Sequence, residues 1–195
     1  RESFDEVRGG DAEDAEAVVS RPRVRAQGED ALKEGFVLVD AHVLATPTVA
    51  DIDGDGHHEL LVPVSFFFDR DQYPDPAQWE QQLGPGINAR KYVAGGLVCY
   101  DLDSRQWRWT VHLDLTTDET RLRAYIYSPP VVADLDGDGH SEIILGTSLG
   151  FLYVLGADGS TRDGFPVQLG EIQGPVVAAD VAGDGALELV AADML

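Results

Sequence analysis

The sequence predicts an all-β fold built from four-stranded antiparallel units. An acidic, glycine-rich loop occurs three times, short strands of alternating apolar residues flank each copy, and a predicted hairpin separates successive copies. The hydrophobic content of 44% fits a globular protein. No apolar run approaches the ~20 residues that a membrane-spanning helix needs.

The chain divides into two predicted segments. Residues 1–34 mix Glu, Asp, Ala and Arg without a strand pattern, and they are predicted to be disordered or partly helical. Residues 35–195 carry the repeated units. Because the chain begins with Arg and shows no signal-like apolar stretch, we expect a mature chain or a fragment of a longer protein.

The repeat is visible in residues 46–62, 128–145 and 174–191. Each stretch begins with a small residue and Pro, enters the loop through T/V-x-A-D, and leaves it through Glu and an apolar run. The first two loops are farther apart than the last two, mainly because of an insertion at 66–94. Within this insertion, Asp75 and Pro76 are predicted to begin a short helix.

Four-stranded units of about 45 residues are typical of β-propeller blades. Closed propellers contain ~4–8 blades, whereas this sequence supplies about two and a half. We therefore expect part of a larger propeller, or a chain that completes its ring with another copy. An isolated partial propeller would expose strand edges that favour aggregation.

The first loop is predicted to bind Ca²⁺. Alternate carboxylates around a tight turn can converge on one point, and hard, anionic oxygen donors suit the 6–8 coordination of Ca²⁺. Glycines at positions four and six permit the positive φ that the turn requires. The predicted ligands are the side chains of Asp51, Asp53, Asp55 and Glu59 and the backbone carbonyl of His57.

The second loop repeats every donor, and the third lacks one. Ala182 stands where the other loops have a carboxylate, so either water completes the third site or the site is weak. The second set of ligands is Asp134, Asp136, Asp138, Glu142 and the carbonyl of His140. The third set is Asp180, Asp184, Glu188 and the carbonyl of Ala186.

Other interpretations of the loops fit less well. An EF-hand needs a Glu at position 12 and flanking helices, but Val62, Leu145 or Ala191 occupies that position and the flanks read as strands. Mg²⁺ requires a tighter octahedral site. A surface turn that merely tolerates acids is the remaining alternative, although four adjacent carboxylates repel one another without a cation. The loop histidines are expected to point to solvent.

The net charge of −21 repels nucleic acids and anionic membranes and attracts cations. Residues 36–195 hold 25 of the 35 acidic residues, and 11 of these are the predicted metal ligands. We therefore expect no nucleic-acid partner. The single cysteine, Cys99, cannot form an intrachain disulfide and is expected to be a small buried residue.

Two aromatic groups could form binding surfaces or simply pack in the core. Trp107 and Trp109 alternate with Arg108 on a predicted strand, so they are expected to share one face of the sheet. There they would either pack within the sheet or form a platform on which a carbohydrate stacks. The second group, at the insertion, either covers the sheet or contacts a partner. It consists of Phe66, Phe67, Phe68, Tyr73 and Trp79.

The pattern D-x-D-G-D-G-x-x-E between strands resembles the FG-GAP/VCBS calcium repeats of integrin-like β-propellers. Over residues 33–192, the chain is also similar to the plant "defective in exine formation" protein family. The phrases that carry this similarity are KEGFVLVDAHVLATPTVADIDGDG, RAYIYSPPVVADLDGDG and EIQGPVVAADVAGDG. Proteins of that family have an integrin-like ectodomain, belong to the secretory pathway or plasma membrane, and are implicated in cell-wall or pollen-wall assembly.

The loops and the resemblance together predict a non-catalytic calcium-binding scaffold for adhesion or interaction. The resemblance implies an extracellular, secretory-pathway or plasma-membrane location, with exine-like wall assembly as the process. The expected partner is a protein or polysaccharide, and membrane anchoring is expected only through parts outside these 195 residues. The alternative is a polysaccharide-processing enzyme or a carbohydrate-binding accessory domain. No familiar catalytic motif supports the enzyme.

Overall fold

The computed structural model describes residues 7–8 and 36–194, whose regular secondary structure is mostly β-strand in antiparallel sheets. The prediction of an all-β fold is confirmed at this level. The strands are β1 (Val7–Arg8), β2 (Phe36–Val37), β3 (Ala41–His42), β4 (Thr48–Ala50), β5 (Glu59–Phe67), β6 (Val93–Asp101), β7 (Gln106–Thr116), β8 (Val131–Ala133), β9 (Glu142–Gly146), β10 (Phe151–Leu155), β11 (Val167–Gln168), β12 (Val177–Ala179) and β13 (Glu188–Val190). The helical elements are α1 (Trp79–Leu83) and 3-10 turns at Pro76–Gln78 and Ala89–Lys91.

Two sheets show the predicted order of one strand into a loop, one strand out of it, and a hairpin. In the first sheet β4, β5, β6 and β7 are neighbours in that order, and β3 also pairs with β5. In the second sheet the order is β8, β9, β10 and β11. The strands β12 and β13 form a third, two-stranded sheet around the last loop.

The first and second sheets pack against each other through a cluster that we call the first interface cluster. A second interface cluster covers the opposite face of the second sheet, where Leu189 of β13 packs against it. Neighbours in β9 alternate between the two, since Ile143 belongs to the first cluster and Ile144 to the second. The first cluster comprises Ile52, Leu61, Leu97, Cys99, Trp109, Val111, Ile126, Ile143, Leu145, Tyr153 and Leu155. The second comprises Ile144, Leu152, Val154, Ile172 and Val176.

The insertion covers the outer face of the first sheet. Because β5 continues to Phe67 and β6 begins at Val93, the connection between these two strands spans 68–92. The predicted cap is confirmed, as Oδ1 of Asp75 accepts a hydrogen bond from the amide of Ala77 at 3.0 Å. Phe66 and Phe68 are buried, and Tyr73 and Trp79 pack against the same cluster.

One prediction about the first sheet is wrong: Trp107 and Trp109 lie on opposite faces. Cys99 pairs with Trp109 and the next residue of β6 pairs with Trp107, so Arg108 is an extra residue in a β-bulge. A bulge shifts the alternation of side chains by one position. Trp109 therefore enters the first interface cluster, while Trp107 packs with the insertion residues.

The prediction of a disordered or partly helical N-terminal segment falls outside the described residues, except at Val7–Arg8. Those two residues pair antiparallel with Phe36–Val37. None of the helices in the described ranges has the length and apolar composition that crossing a membrane requires.

Candidate metal centres

All three acidic loops have the same backbone form. The glycines at positions four and six adopt positive φ in each loop, with values of 74° and 87° in the first and 76° and 91° in the third. Residues with a Cβ adopt this region at a cost, which explains the glycines. The loop shape therefore follows from its glycine positions.

The first aspartate of each loop organises this turn. In the first loop, Oδ1 of Asp51 accepts from the amide of Gly54 at 2.8 Å, and Oδ2 accepts from that of Gly56 at 2.9 Å. The hydrogen bond from Gly56 is the main reason that the pKa of Asp51 lies below its ordinary value. In the second loop, the amides of Gly137 and Gly139 donate to Asp134 and lower its pKa as well.

Positions one, three and nine converge in the first two loops. One oxygen from each of these carboxylates lies within 4.8 Å of the other two. The glutamate of each group lies inside the protein. The side chain of Glu59 has 0% exposure and that of Glu142 has 12%. The two groups are Asp51, Asp53 and Glu59, and Asp134, Asp136 and Glu142.

The side chains at positions five and seven are not members of these groups. Oδ1 of Asp55 accepts from the amide of His57 at 2.8 Å, and Asp138 holds the amide of His140 in the same way. Both histidine side chains are exposed, as expected, but each has a polar contact: Nδ1 of His57 is close to Asp103, and Nδ1 of His140 lies 3.1 Å from a backbone oxygen. No histidine belongs to a three-residue group among the described residues.

An arginine bridges positions three and nine in each of these two loops. The guanidinium of Arg108 places NH2 2.7 Å from Oδ2 of Asp53 and NH1 3.0 Å from Oε1 of Glu59. Partial burial lowers the pKa of Arg108, but the two carboxylates raise it more, so the net shift is upward. In the second loop, Arg162 contacts Asp136 at 2.8 Å and Glu142 at 3.0 Å.

The sequence prediction missed both arginines, although the repeat contains a signal for them. There are 49 positions from Glu59 to Arg108 and 20 from Glu142 to Arg162, a difference of 29. Aligning the two hairpin regions places 29 inserted residues between the first loop and Gly96. Once the insertion is removed, the two arginines occupy the same position of the repeat.

The third loop keeps the backbone form but not the carboxylate group. Oε2 of Glu188 accepts from the amides of Val181 and Ala182 at 2.7 and 3.2 Å. Without a carboxylate at Ala182, Asp180 and Asp184 are not part of a three-residue group within the described ranges. The loop is also open to solvent, with Val181 67% exposed.

The first two loops touch each other. The amide of Ser141 donates to the carbonyl of Ile52 at 3.2 Å, and the ring of His140 lies 3.1 Å from the carbonyl oxygen of Asp53. Ile52 is fully buried in the first interface cluster. The peptide that follows Asp51 is thus held from both sides, by the core and by the neighbouring loop.

The residues present fit a hard divalent cation. Oδ1 of Asp53 is buried and has no hydrogen-bond partner in the described part of the chain. Oε1 of Glu59 is buried as well, and its contact with Arg108 is an ion pair that lacks hydrogen-bond geometry. Buried anionic oxygens without donors are costly unless a cation compensates them, and oxygen-only donor sets suit Ca²⁺.

Two other features offer different chemistry. Cys99 is buried, and burial raises its pKa to about 12, so the thiol remains protonated at neutral pH. A cavity of about 170 Å³ lies beside the insertion. Its lining consists of Phe68, Arg70, Tyr73, Pro74, Trp79, Ala89, Arg90 and Asp118. The single carboxylate in this lining, Asp118, pairs with Arg70 and with Arg123.

Comparison with known proteins shows no family, because neither a family model nor a curated protein matches the chain. The resemblance to FG-GAP/VCBS repeats and to the exine-formation family stays a prediction. The geometry and charge of the loops are therefore the main observations that bear on function.

Proposed function

We propose that this chain is a calcium-binding part of a β-propeller that serves as a non-catalytic interaction scaffold. The observation that carries the proposal is the same three-carboxylate group at equivalent positions of two repeated loops. A solvated acidic surface needs no such convergence. Ca²⁺ that binds the folded chain and not the unfolded chain would stabilise the scaffold by mass action.

The propeller part of the proposal is supported by how the sheets pack. The first two sheets face each other across the first interface cluster, and the third lies against the second interface cluster. Successive sheets of a propeller pack in this way around an axis. Val177 and Val190 of the third sheet are exposed and provide an apolar surface for a further unit.

Calcium is proposed over magnesium because of the shape of the site. The loops combine side chains from positions one to nine of one turn, which suits the variable coordination of Ca²⁺. Mg²⁺ requires near-ideal octahedral geometry and keeps several waters.

The location and biological process rest on the resemblance alone. We propose an extracellular, secretory-pathway or plasma-membrane setting, with cell-wall assembly as the process and a protein or polysaccharide as the partner. A net charge of −21 agrees with a surface that attracts calcium rather than nucleic acid.

Calorimetric titration of the chain with Ca²⁺ tests the proposal. We expect two sites, a weaker third, and a melting temperature that falls on addition of chelator. Asp53→Ala should remove the first site only, whereas Glu119→Ala, a loss of an exposed acid outside the loops, should leave all sites unchanged. Absence of binding heat together with an unchanged melting curve would refute calcium binding.

The insertion cavity favours a second candidate function, carbohydrate binding. Aromatic side chains and two arginines surround it. Arg70 pairs with Asp118, so Arg90, which lies over the ring of Trp79, is the arginine that suits a sugar ring carrying a carboxylate. A glycoside hydrolase uses two acids, whereas the lining of this cavity contains one carboxylate, and that carboxylate is already paired with arginines. Binding of uronic-acid oligosaccharides that disappears in Trp79→Ala, with no release of reducing ends, would support this candidate. Turnover of those oligosaccharides would instead support the enzyme.

A further inference from the structure

We propose that Arg108 and Arg162 are internal competitors of the metal ion. Each guanidinium contacts the carboxylates at positions three and nine of its loop, and a divalent cation that binds these carboxylates must share them with the guanidinium or displace it. The inference rests on the proposed calcium binding and adds residues that set its affinity. The arginines would therefore determine how much calcium the scaffold needs.

The oxygen atoms of the first loop show why the competition arises. Both oxygens of Asp51 accept amide hydrogens from the loop itself. Oε2 of Glu59 accepts from the amide of Ile52 at 3.1 Å, and its other oxygen faces Arg108. Arg108 also takes Oδ2 of Asp53. A cation that uses Glu59 in bidentate fashion must therefore share or displace the guanidinium.

Charge explains what the arginine contributes when metal is absent. The first loop has four carboxylates, and a fully buried one, Glu59, is costly without a compensating charge. Arg108 provides one positive charge through a planar fork that contacts two carboxylates at once. The loop therefore keeps its form without metal, at the cost of weaker metal binding.

The same fork occurs in both repeats, although the local backbone around each arginine differs. Arg108 is the extra residue of a bulge in the long strand β7. Arg162 lies in the connection between β10 and β11, where its amide donates to the carbonyl of Val154 at 2.8 Å. Both side chains nevertheless contact positions three and nine with nearly equal distances.

The competition has two consequences of opposite sign. Removing an arginine should strengthen calcium binding at its own loop, because the cation no longer displaces a charged partner. The same change should lower stability in chelator, because buried carboxylates lose their compensating charge. A residue that only supports the loop would weaken both properties.

The experiment compares Arg108→Gln, Arg162→Gln and the control Arg121→Gln by calcium calorimetry and by melting in chelator. Arg121 is exposed, so its substitution removes the same charge away from the loops. We expect each of the first two variants to bind calcium about three- to tenfold more tightly at one site and to melt earlier in chelator. The control should match the wild type in both measurements.

Arg108→Lys keeps the charge without the fork and should lie between wild type and Arg108→Gln in both measurements. If the wild type binds calcium and neither glutamine variant binds more tightly, the inference is overturned while the proposed function stands. Binding by the glutamine variants alone would support the inference, with the arginines masking the sites. If no protein binds calcium, both proposals fail.

Discussion

The first and third loops share one backbone form and differ in almost everything that surrounds it. In the first loop, Ile52 and Glu59 are fully buried and Arg108 bridges two carboxylates. In the third, Val181 is exposed and Glu188 accepts only loop amides among its described contacts. The comparison separates what shapes the loop from what makes it a candidate metal site.

The shape belongs to the glycines and the first aspartate, which make the same hydrogen bonds in both loops. In the described loops, the three-carboxylate group that could hold a cation is present where position three is a carboxylate and the glutamate at position nine is largely buried. Three pairs of variants test this separation.

The largest expected effect on stability follows from removing the buried glutamate. Glu59→Ala removes the acceptor for the amide of Ile52 and one partner of Arg108, so we expect a loss of about 2–3 kcal/mol in the free energy of unfolding. Glu188→Ala, in the more exposed loop, should cost about 1 kcal/mol or less. Urea unfolding in chelator measures both values, and equal costs would remove the distinction between the loops.

The next effect tests whether one carboxylate can convert the third loop. Ala182→Asp restores position three beside Asp180 and Glu188, and we expect calcium binding at that loop to strengthen about tenfold or more. The added charge should also lower stability in chelator. Ala186→Asp adds the same charge at the position that binds through its carbonyl, and it should strengthen binding less. If the two variants were equal, charge alone would explain the gain.

A smaller effect tests the shared backbone. Gly56→Ala and Gly185→Ala meet no neighbouring atom within 4 Å, yet both residues have positive φ. Each substitution should therefore cost about 1–2 kcal/mol from backbone strain, with similar values in the two loops. Gly174→Ala, where φ is not in that region and space is open, should leave stability unchanged or slightly raised. Differential scanning calorimetry would reveal any difference between the stability costs of Gly56→Ala and Gly185→Ala.

The smallest expected effect concerns a buried carboxylate outside the loops. Asp114 lies at the first interface cluster, where the hydroxyl of Tyr153 donates to its Oδ1 at 2.9 Å, and burial raises its pKa above the ordinary value of 3.8. At pH values between 3.8 and the raised pKa, the folded state therefore binds more protons than the unfolded state. The contribution of Asp114 to stability is therefore present in acid and is lost as pH rises through the raised value.

Asp114→Asn should abolish this part of the pH dependence. The stability of the wild type relative to the variant should fall from acid towards neutral pH, as measured by urea unfolding at several pH values in chelator. Parallel pH curves for the two proteins would show that Asp114 does not titrate as its burial implies.

The strands, the loop form and the helix start could all be read from the sequence, because each depends on neighbours within a few residues. Asp75 caps its turn through an amide two positions away, and Asp51 accepts amides three and five positions away. The shared face of Trp107 and Trp109 was the clear error. An extra residue in a bulge is decided by the pairing of β6 with β7, which alternation within one strand does not reveal.

By itself, the sequence determined the repeated loops, their acidic character and the all-β class, since spacing of glycine, aspartate and apolar residues governs local backbone form. Tertiary structure alone decided which cations and dipoles surround each loop. Arg108 reaches Asp53 across 55 positions of sequence, and His140 reaches it across 87. Such contacts form only when sheets have paired and packed, so the spacing of the loops predicted the acidic groups, whereas the packed sheets placed the arginines against them.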